Sequence, residues 1–335
     1  MSSTKNILVT GGAGFIASNF IPLLLESHPS YRIINLDKLT YAGDLSNLNG
    51  LEKNKQYQFI LGDICDEDLV NDIFIKYKID DVIHFAAESH VDNSINSPNS
   101  FIKTNIEGTF ILLEAARKHW LSGNEDKNIH RFFHISTDEV YGSLSDKGYF
   151  TEGTPYAPNS PYSASKASAD FLVRSYHQTY GLNTVISNCS NNFGPKQHDE
   201  KLIPTIIRKA LANEPIPIYG KGTNIRDWLY VEDHCLAIDL LFHKGKAGET
   251  YVVGAANECT NLYLANEVCK LMDRLIPKSE GSYKDQISFV KDRLGHDYRY
   301  AIDASKIRKE LKWAPKQNFM EGLRKTVDWY IKKYQ

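Results

Sequence analysis

A short apolar strand, Asn6–Thr10, runs directly into Gly11-Gly12-Ala13-Gly14-Phe15-Ile16-Ala17, and this junction restricts the fold more than any other stretch of the chain. The spacing Gly11, Gly14, Ala17 suits a strand that turns sharply into a helix: Gly11 permits the tight turn, and Gly14 lets backbone come close to a diphosphate. The helix that follows offers its positive N-terminus to phosphate. Taken alone, a Gly-rich turn before a helix can be only a packing device, so the rest of the chain has to decide.

The rhythm beyond the turn points the same way. Further β-branched runs occur at Arg32–Asp37, Tyr57–Leu61, 81–86, 131–136 and 183–188, with amphipathic helical stretches such as 101–119 and 162–180 between several of them. Strands alternating with helices imply a parallel sheet covered on both faces, a Rossmann-type doubly wound α/β fold. After about residue 190 the pattern breaks into pieces punctuated by Gly194-Pro195, Pro215 to Pro217 and Gly220 to Gly222. The expected division is therefore a dinucleotide-binding domain over residues 1–191, with a segment near 229–255 returning to it, and a smaller lobe formed mainly by 192–335. A ligand cleft would fall between the two.

Within that frame several residues are placed to hold a dinucleotide. Asp37 ends the second strand about twenty residues past the turn, where a carboxylate accepts from ribose hydroxyls and repels a 2′-phosphate, so NAD is expected over NADP. Lys38 beside it tempers that preference. Asp63, with Ile64, follows the third strand and would meet adenine, although an Asp there equally suits a turn cap. Phe85-Ala86-Ala87-Glu88-Ser89 ends the fourth strand in small residues, as expected where backbone lies against a ligand. Cofactor contacts are expected at Gly11, Gly14, Phe15, Ile16, Phe85, Ala86, Ala87 and Ser89 as well as at the acidic positions.

The chemistry is carried by Ser136-Thr137-Asp138-Glu139-Val140-Tyr141-Gly142 and Tyr162-Ser163-Ala164-Ser165-Lys166. A free tyrosine ionises near pH 10, so Tyr162 can act as a base near neutrality only if its phenolate is stabilised. Lys166, four residues on and on the same helix face, is the group expected to do so while gripping a ribose. Thr137 at the fifth strand's end can bond a hydroxyl being oxidised. Asp138 and Glu139 go beyond what a simple dehydrogenase needs: two carboxyls in different environments can act as acid and base in an elimination. In most proteins such a pair is only a solvated loop.

Composition excludes several other classes. A formal charge of −2 over 335 residues provides no general field for nucleic acid or acidic lipid. Any anionic ligand must meet local cations. Five cysteines, Cys65, Cys189, Cys235, Cys259 and Cys269, lie far apart without metal-ligand or C-x-x-C spacing, so reduced thiols in a cytoplasmic protein and no metal are expected. The polar start, Met1 to Lys5, lacks the pattern of a signal peptide, and no apolar run has membrane-spanning length.

The motifs Thr10 to Ala17, Ala86-Ala-Glu-Ser-His-Val-Asp92, Ser136 to Gly142 and Tyr162-x-x-x-Lys166 resemble those of extended short-chain dehydrogenases/reductases. Within that superfamily the chain is similar to the dTDP-glucose 4,6-dehydratases, nearly end to end, through Asn188 to Pro195, Glu200 to Pro204, Pro217 to Gly222, Arg226 to Val231 and Asp292 to Asp297. Ala17 departs from the Gly usual at that place. The resemblance implies an internal redox cycle on a nucleoside diphosphate glucose with NAD retained. Tyr162 would take the O4 proton, with Lys166 and Thr137 holding geometry. Glu139 would remove the C5 proton, and Asp138 would protonate the departing C6 hydroxyl.

The resemblance further assigns Thr104 and Asn192 to the cofactor, and Asn191, Lys201, Leu202, Pro217 and Tyr219 to the substrate. Arg226, Asn261, Arg293 and His296 join that substrate set, with Ser89 and Thr137 serving it too. It implies a homodimer through 101–119 and 162–180, and deoxysugar products such as rhamnose. A UDP-sugar 4-epimerase shares the turn and the Tyr/Lys pair but needs no Asp-Glu couple. A non-catalytic NAD-binding scaffold would need none of these acid/base groups. Thymidine and uridine as the nucleotide's base remain alternatives.

Overall fold

The computed structural model describes residues 4–121 and 129–335. Its strands are β1 (Asn6–Thr10), β2 (Arg32–Asp37), β3 (Tyr57–Leu61), β4 (Asp81–His84), β5 (Arg131–Thr137) and β6 (Thr184–Cys189), followed by six more. These are β7 (Asn191–Phe193), β8 (Ile216–Tyr219), β9 (Ile225–Tyr230), β10 (Thr250–Val253), β11 (Glu258–Thr260) and β12 (Ile287–Val290). Seven of them form one sheet in the order β10-β6-β5-β4-β1-β2-β3, all pairs parallel. The chain order reverses between β1 and β4, and at such a point the carboxyl ends of the strands open a crevice.

Alternation along the strands builds the two helical layers. Ile7 and Val9 face one side with Ile33, Ile83 and Phe133, packed by Phe20, Ile21 and Leu24 of helix Phe15–Ser27 and by Ile238 and Leu241 of helix Val231–Lys244. Leu8, Ile34, Val82 and Phe132 face the other, against Val70, Ile73, Leu112 and Val173. Each fully buried side chain of this size contributes about 1.5–3 kcal/mol. Residues beyond β6 also make a parallel pair, β8 with β12, and a three-stranded sheet, β11-β9-β7. Their own core gathers Trp228 of β9 with Ile203, Ile206, Leu264, Val268, Leu323 and Val327 from helices Leu202–Leu211, Asn261–Leu275 and Phe319–Tyr334. β10 lies in the large sheet, beside β6. No helix among the described residues is long and apolar enough to cross a membrane.

Some boundaries differ from the sequence reading for local reasons. β4 stops at His84 rather than at 86 because a Cβ on Gly11 would come within 2.6 Å of Ala86 Cα, so the two backbones already touch there. Ala86 N–H turns instead to Thr10 Oγ1 at 3.3 Å. The stretch 101–119 is not one regular helix. Ile102–Gly108 forms a π-helical turn before helix Thr109–Trp120. Asn105 explains the distortion: its side chain spans Glu88 N–H, Glu88 C=O and Ser165 Oγ at 2.8–3.0 Å, pulling that turn toward the site.

Candidate active site

A cavity of about 290 Å³ opens at the carboxyl ends of β1, β2 and β4 to β6. Gly11 and Gly14 form its floor, with Phe15 and Ile16 starting the helix beside them; Asp37, Lys38, Asp63 and Ile64 close one end. Phe85, Ala86, Ala87, Ser89, Thr104 and Asn192 line its walls, and Tyr162 and Lys166 its far end. Gly11 has φ +73° and no room for a side chain, which keeps backbone exposed to a ligand. Asp37 accepts from Ala13 N–H (2.8 Å) and Leu39 N–H (2.8 Å), fixing its carboxylate at the cavity rim. Lys38 is tied to Asp63 at 2.6 Å, and Asp63 also caps Cys65 N–H at 3.0 Å. Asp63 therefore caps a turn, and it also lines the cavity.

The end of the cavity that holds Thr137, Tyr162 and Lys166 is assembled by two caps. Thr137 Oγ1 accepts from Glu139 N–H at 3.3 Å and starts the short 3-10 turn Asp138–Tyr141. Gly142 ends that turn at φ +85°, where a Cβ would lie 2.4 Å from Ala157 O. Ser160 and Ser163 cap helix Pro161–Tyr180 reciprocally, Pro161 takes its first position, and Gly181 closes it in the left-handed region. Tyr162 and Lys166 thus stand one turn apart in the capped first turns of that helix.

The two carboxyls occupy different surroundings. Asp138 is 1 % exposed, its Oδ2 has no partner, and burial with Glu139 nearby holds it well above the usual carboxylate range. Burial also raises Glu139, but Arg226, Lys201 and Arg293 oppose the rise. Glu139 alone of the two also lines the neighbouring cavity. The two carboxyls thus stand side by side in unlike surroundings. Tyr162 departs from the expectation set by its lysine. Burial and the Glu139 charge push the phenol up, while Lys166 Nζ donates to the Ile135 carbonyl at 2.8 Å. Burial lowers the Lys166 ammonium to about 8, opposed chiefly by Asp170.

The second cavity, about 390 Å³, runs outward between the sheet and the residues beyond β6. Ser89, Glu139, Asn191, Lys201 and Leu202 line it together with Pro217, Tyr219, Arg226, Asn261, Arg293 and His296. The cations do not stand free. Arg226 donates to the carbonyls of Ile225 (2.8 Å) and Asp297 (3.0 Å) and lies over the Tyr300 ring. Arg293 makes a two-pronged pair with Asp92 at 2.6 and 2.8 Å, and Tyr219 OH donates to the same Asp92. Asp92 was not singled out from the sequence because its partner lies 201 positions away. Lys201 Nζ donates to Ser89 O at 3.0 Å, joining the two cavities.

These features fit a dinucleotide in the first cavity: a Gly-rich turn at its floor leading into a helix N-terminus, an anchored carboxylate at its rim, and unpartnered buried oxygens on Ser190, Asn191 and Asp138. With a Tyr-x-x-x-Lys helix beneath and a second cavity opening on Glu139, fold and site define an extended short-chain dehydrogenase/reductase.

Comparison with known proteins narrows the class. The chain matches the family described as GDP-mannose 4,6 dehydratase over residues 8–326. It is 52 % identical to the dTDP-glucose 4,6-dehydratase of Salmonella typhimurium, covering 98 % of this chain and 93 % of that one. The crystal structure of dTDP-glucose 4,6-dehydratase from Bacillus anthracis in complex with NAD superposes with a TM-score of 0.86 at 44 % identity, covering 98 % and 97 % of the two chains. A UDP-glucose 4-epimerase of Thermotoga maritima, solved with UDP-glucose, reaches a TM-score of 0.85 at 29 % identity, covering 98 % of this chain and all of the other. The chain belongs to the GDP-mannose 4,6 dehydratase family and, within it, to the dTDP-glucose 4,6-dehydratases.

Proposed function

We propose that this protein converts dTDP-glucose into dTDP-4-keto-6-deoxyglucose and water, with NAD as its retained cofactor. The observation that carries the reading is the Asp138-Glu139 couple, one buried as an acid and one facing the second cavity, beside Tyr162 and Lys166. An epimerase has the same fold but no elimination to perform, so the couple favours dehydration.

Gly11, Gly14, Asp37, Asp63, Thr104 and Asn192 would hold the cofactor along the first cavity, and Lys166 would grip its ribose. Bound there, NAD would supply a hydride acceptor for C4 and then a hydride donor for C6. Tyr162 takes the O4 proton as the alcohol becomes a ketone, and Thr137 Oγ1 positions that hydroxyl. The ketone acidifies C5–H, whose proton passes to Glu139, while Asp138 gives its proton to the leaving C6 hydroxyl. Glu139 then returns a proton to C5. The O4 proton and the C6 hydroxyl together account for the water lost. Over one turnover Tyr162 gains a proton and Asp138 loses one, so a proton must return between them. Thr137 Oγ1, which donates to Asp138 Oδ1 at 3.4 Å, lies beside that path.

Asn191, Lys201, Leu202, Pro217, Tyr219, Arg226, Asn261, Arg293 and His296 hold the nucleotide in the second cavity. A homodimer through 101–119 and 162–180 is supported by Ile102, Phe110, Phe171 and Tyr180, exposed apolar side chains on those helices. A cytoplasmic setting is supported by the five free cysteines. The product suits deoxysugar pathways, rhamnose among them.

Turnover of dTDP-glucose in deuterated water will place deuterium at C5 of the 4-keto product. Product without label there removes Glu139 as an exchanging base. UDP-glucose, assayed in parallel, will turn over more slowly; equal rates would show that the base is not read.

A further inference from the structure

Helix Pro161–Tyr180 carries a third polar side chain in register with the first two. Asp170 follows Lys166 by four residues, as Lys166 follows Tyr162, so all three share a face. Asp170 is 2 % exposed and Lys166 4 %. Oδ2 of Asp170 accepts from Ser136 Oγ (2.9 Å), Tyr156 OH (2.9 Å) and Asn188 Nδ2 (3.0 Å), three donors from outside the helix. Its Oδ1 has no hydrogen-bond partner and lies 3.3 Å from Nε2 of His134. The same Nε2 is 3.4 Å from Lys166 Nζ, and His134 Nδ1 is buried without a partner.

One ring nitrogen thus stands between an ammonium and a carboxylate and can serve only one of them. As a lone pair it accepts from Lys166; as N–H it donates to Asp170. Unpaired buried groups are costly in an interior, and a lysine this deep keeps its charge only beside a compensating anion. Around Lys166 that anion is Asp170. Burial holds the Cys189 thiol of β6 neutral, pushed up to about 12. His84 of β4 and His134 of β5 are held neutral by burial, the latter lowered to about 4. Burial, with the Glu139 charge next, raises both the Tyr162 phenol and the Asp138 carboxyl.

We propose that Asp170, acting across His134, is the positioning charge that keeps Lys166 an ammonium during turnover, and that the His134 tautomer changes with the Lys166 proton. The proposal rests on the dehydratase reading for its kinetic test only. Removing an anion disfavours the ammonium, so Lys166 loses its proton at lower pH, and activity requiring it fails earlier as pH rises.

Asp170→Asn is the test, because an amide oxygen can keep the three donors while losing the charge. The alkaline limb of kcat against pH will move down by about one unit, a loss of about five-fold near pH 8 that approaches about ten-fold above it, with little loss at the acid end. Tyr156→Phe, which removes one of the hydrogen bonds but leaves the charge, will leave that limb in place. An unmoved limb in Asp170→Asn, or an equal loss at every pH, overturns the proposal. Should that variant not fold, nitrogen NMR of wild-type protein labelled at lysine and histidine decides: the His134 ring signals will change at the Lys166 midpoint. Constant His134 signals through that midpoint overturn the coupling. A wild type that does not turn over dTDP-glucose would defeat the dehydratase reading while leaving the NMR result interpretable.

Discussion

Mixed with dTDP-glucose, the Asp138→Asn, Glu139→Gln double variant will reduce its cofactor and then stall, releasing no dehydrated product. Acid and base each supply about 10²–10⁴ in rate, so loss of both should lower water elimination by at least about 10³-fold. Oxidation should survive for an electrostatic reason. Beyond burial, the Glu139 charge pushes the Tyr162 phenol upward, so replacing it with a neutral amide eases formation of the phenolate. The check is absorbance of reduced nicotinamide in a single mixing experiment, followed by product analysis. Normal dehydration by the double variant would contradict the roles given to both residues.

Tyr162→Phe will stop the cycle one step sooner. The ring keeps its edge-to-face contact with Phe101, whose centroid is 6.3 Å away, so folding and cofactor retention should be close to wild type. Without the hydroxyl no group takes the O4 proton, and kcat should fall by about 10²–10⁴. No reduced nicotinamide will accumulate. The two variants therefore separate the halves of the reaction, one arrested with the cofactor reduced and the other with it oxidised. Accumulation of reduced cofactor in Tyr162→Phe would show that a different group serves as the base for oxidation.

Much of the site was readable because its signals are local. Gly11 and Gly14 close one short turn through the bond from Gly14 N–H to the Gly11 carbonyl, Ser160 caps its own helix, and the four-residue spacing of Tyr162 and Lys166 fixes a shared face before any tertiary contact forms. Thr137, Asp138 and Glu139 were legible for the same reason, since a strand end delivers consecutive residues to one place. The residues that set their charges were not. Lys166 was expected to lower the phenol, yet its bonds run to Ile135 and His134, and the groups that raise or lower Tyr162 come from β5, β6 and the turn after β5. Asp170 could have been noticed from its spacing with Lys166. Its partners Ser136, Tyr156 and Asn188 could not, because they are separated from it by 34, 14 and 18 positions.

By itself the sequence determined which elements form and which reactive side chains they carry, because turns, caps and periodic apolar faces depend on neighbours along the chain. Only the tertiary structure decided which of those groups carry protons and which cations are already engaged. Arg293 meets Asp92 across the cleft, Asp138 is sealed from water while Glu139 opens on the second cavity, and Asp170 lies beneath Lys166. Protonation depends on burial and on charges brought together from distant segments, and those distances exist only after the chain has folded.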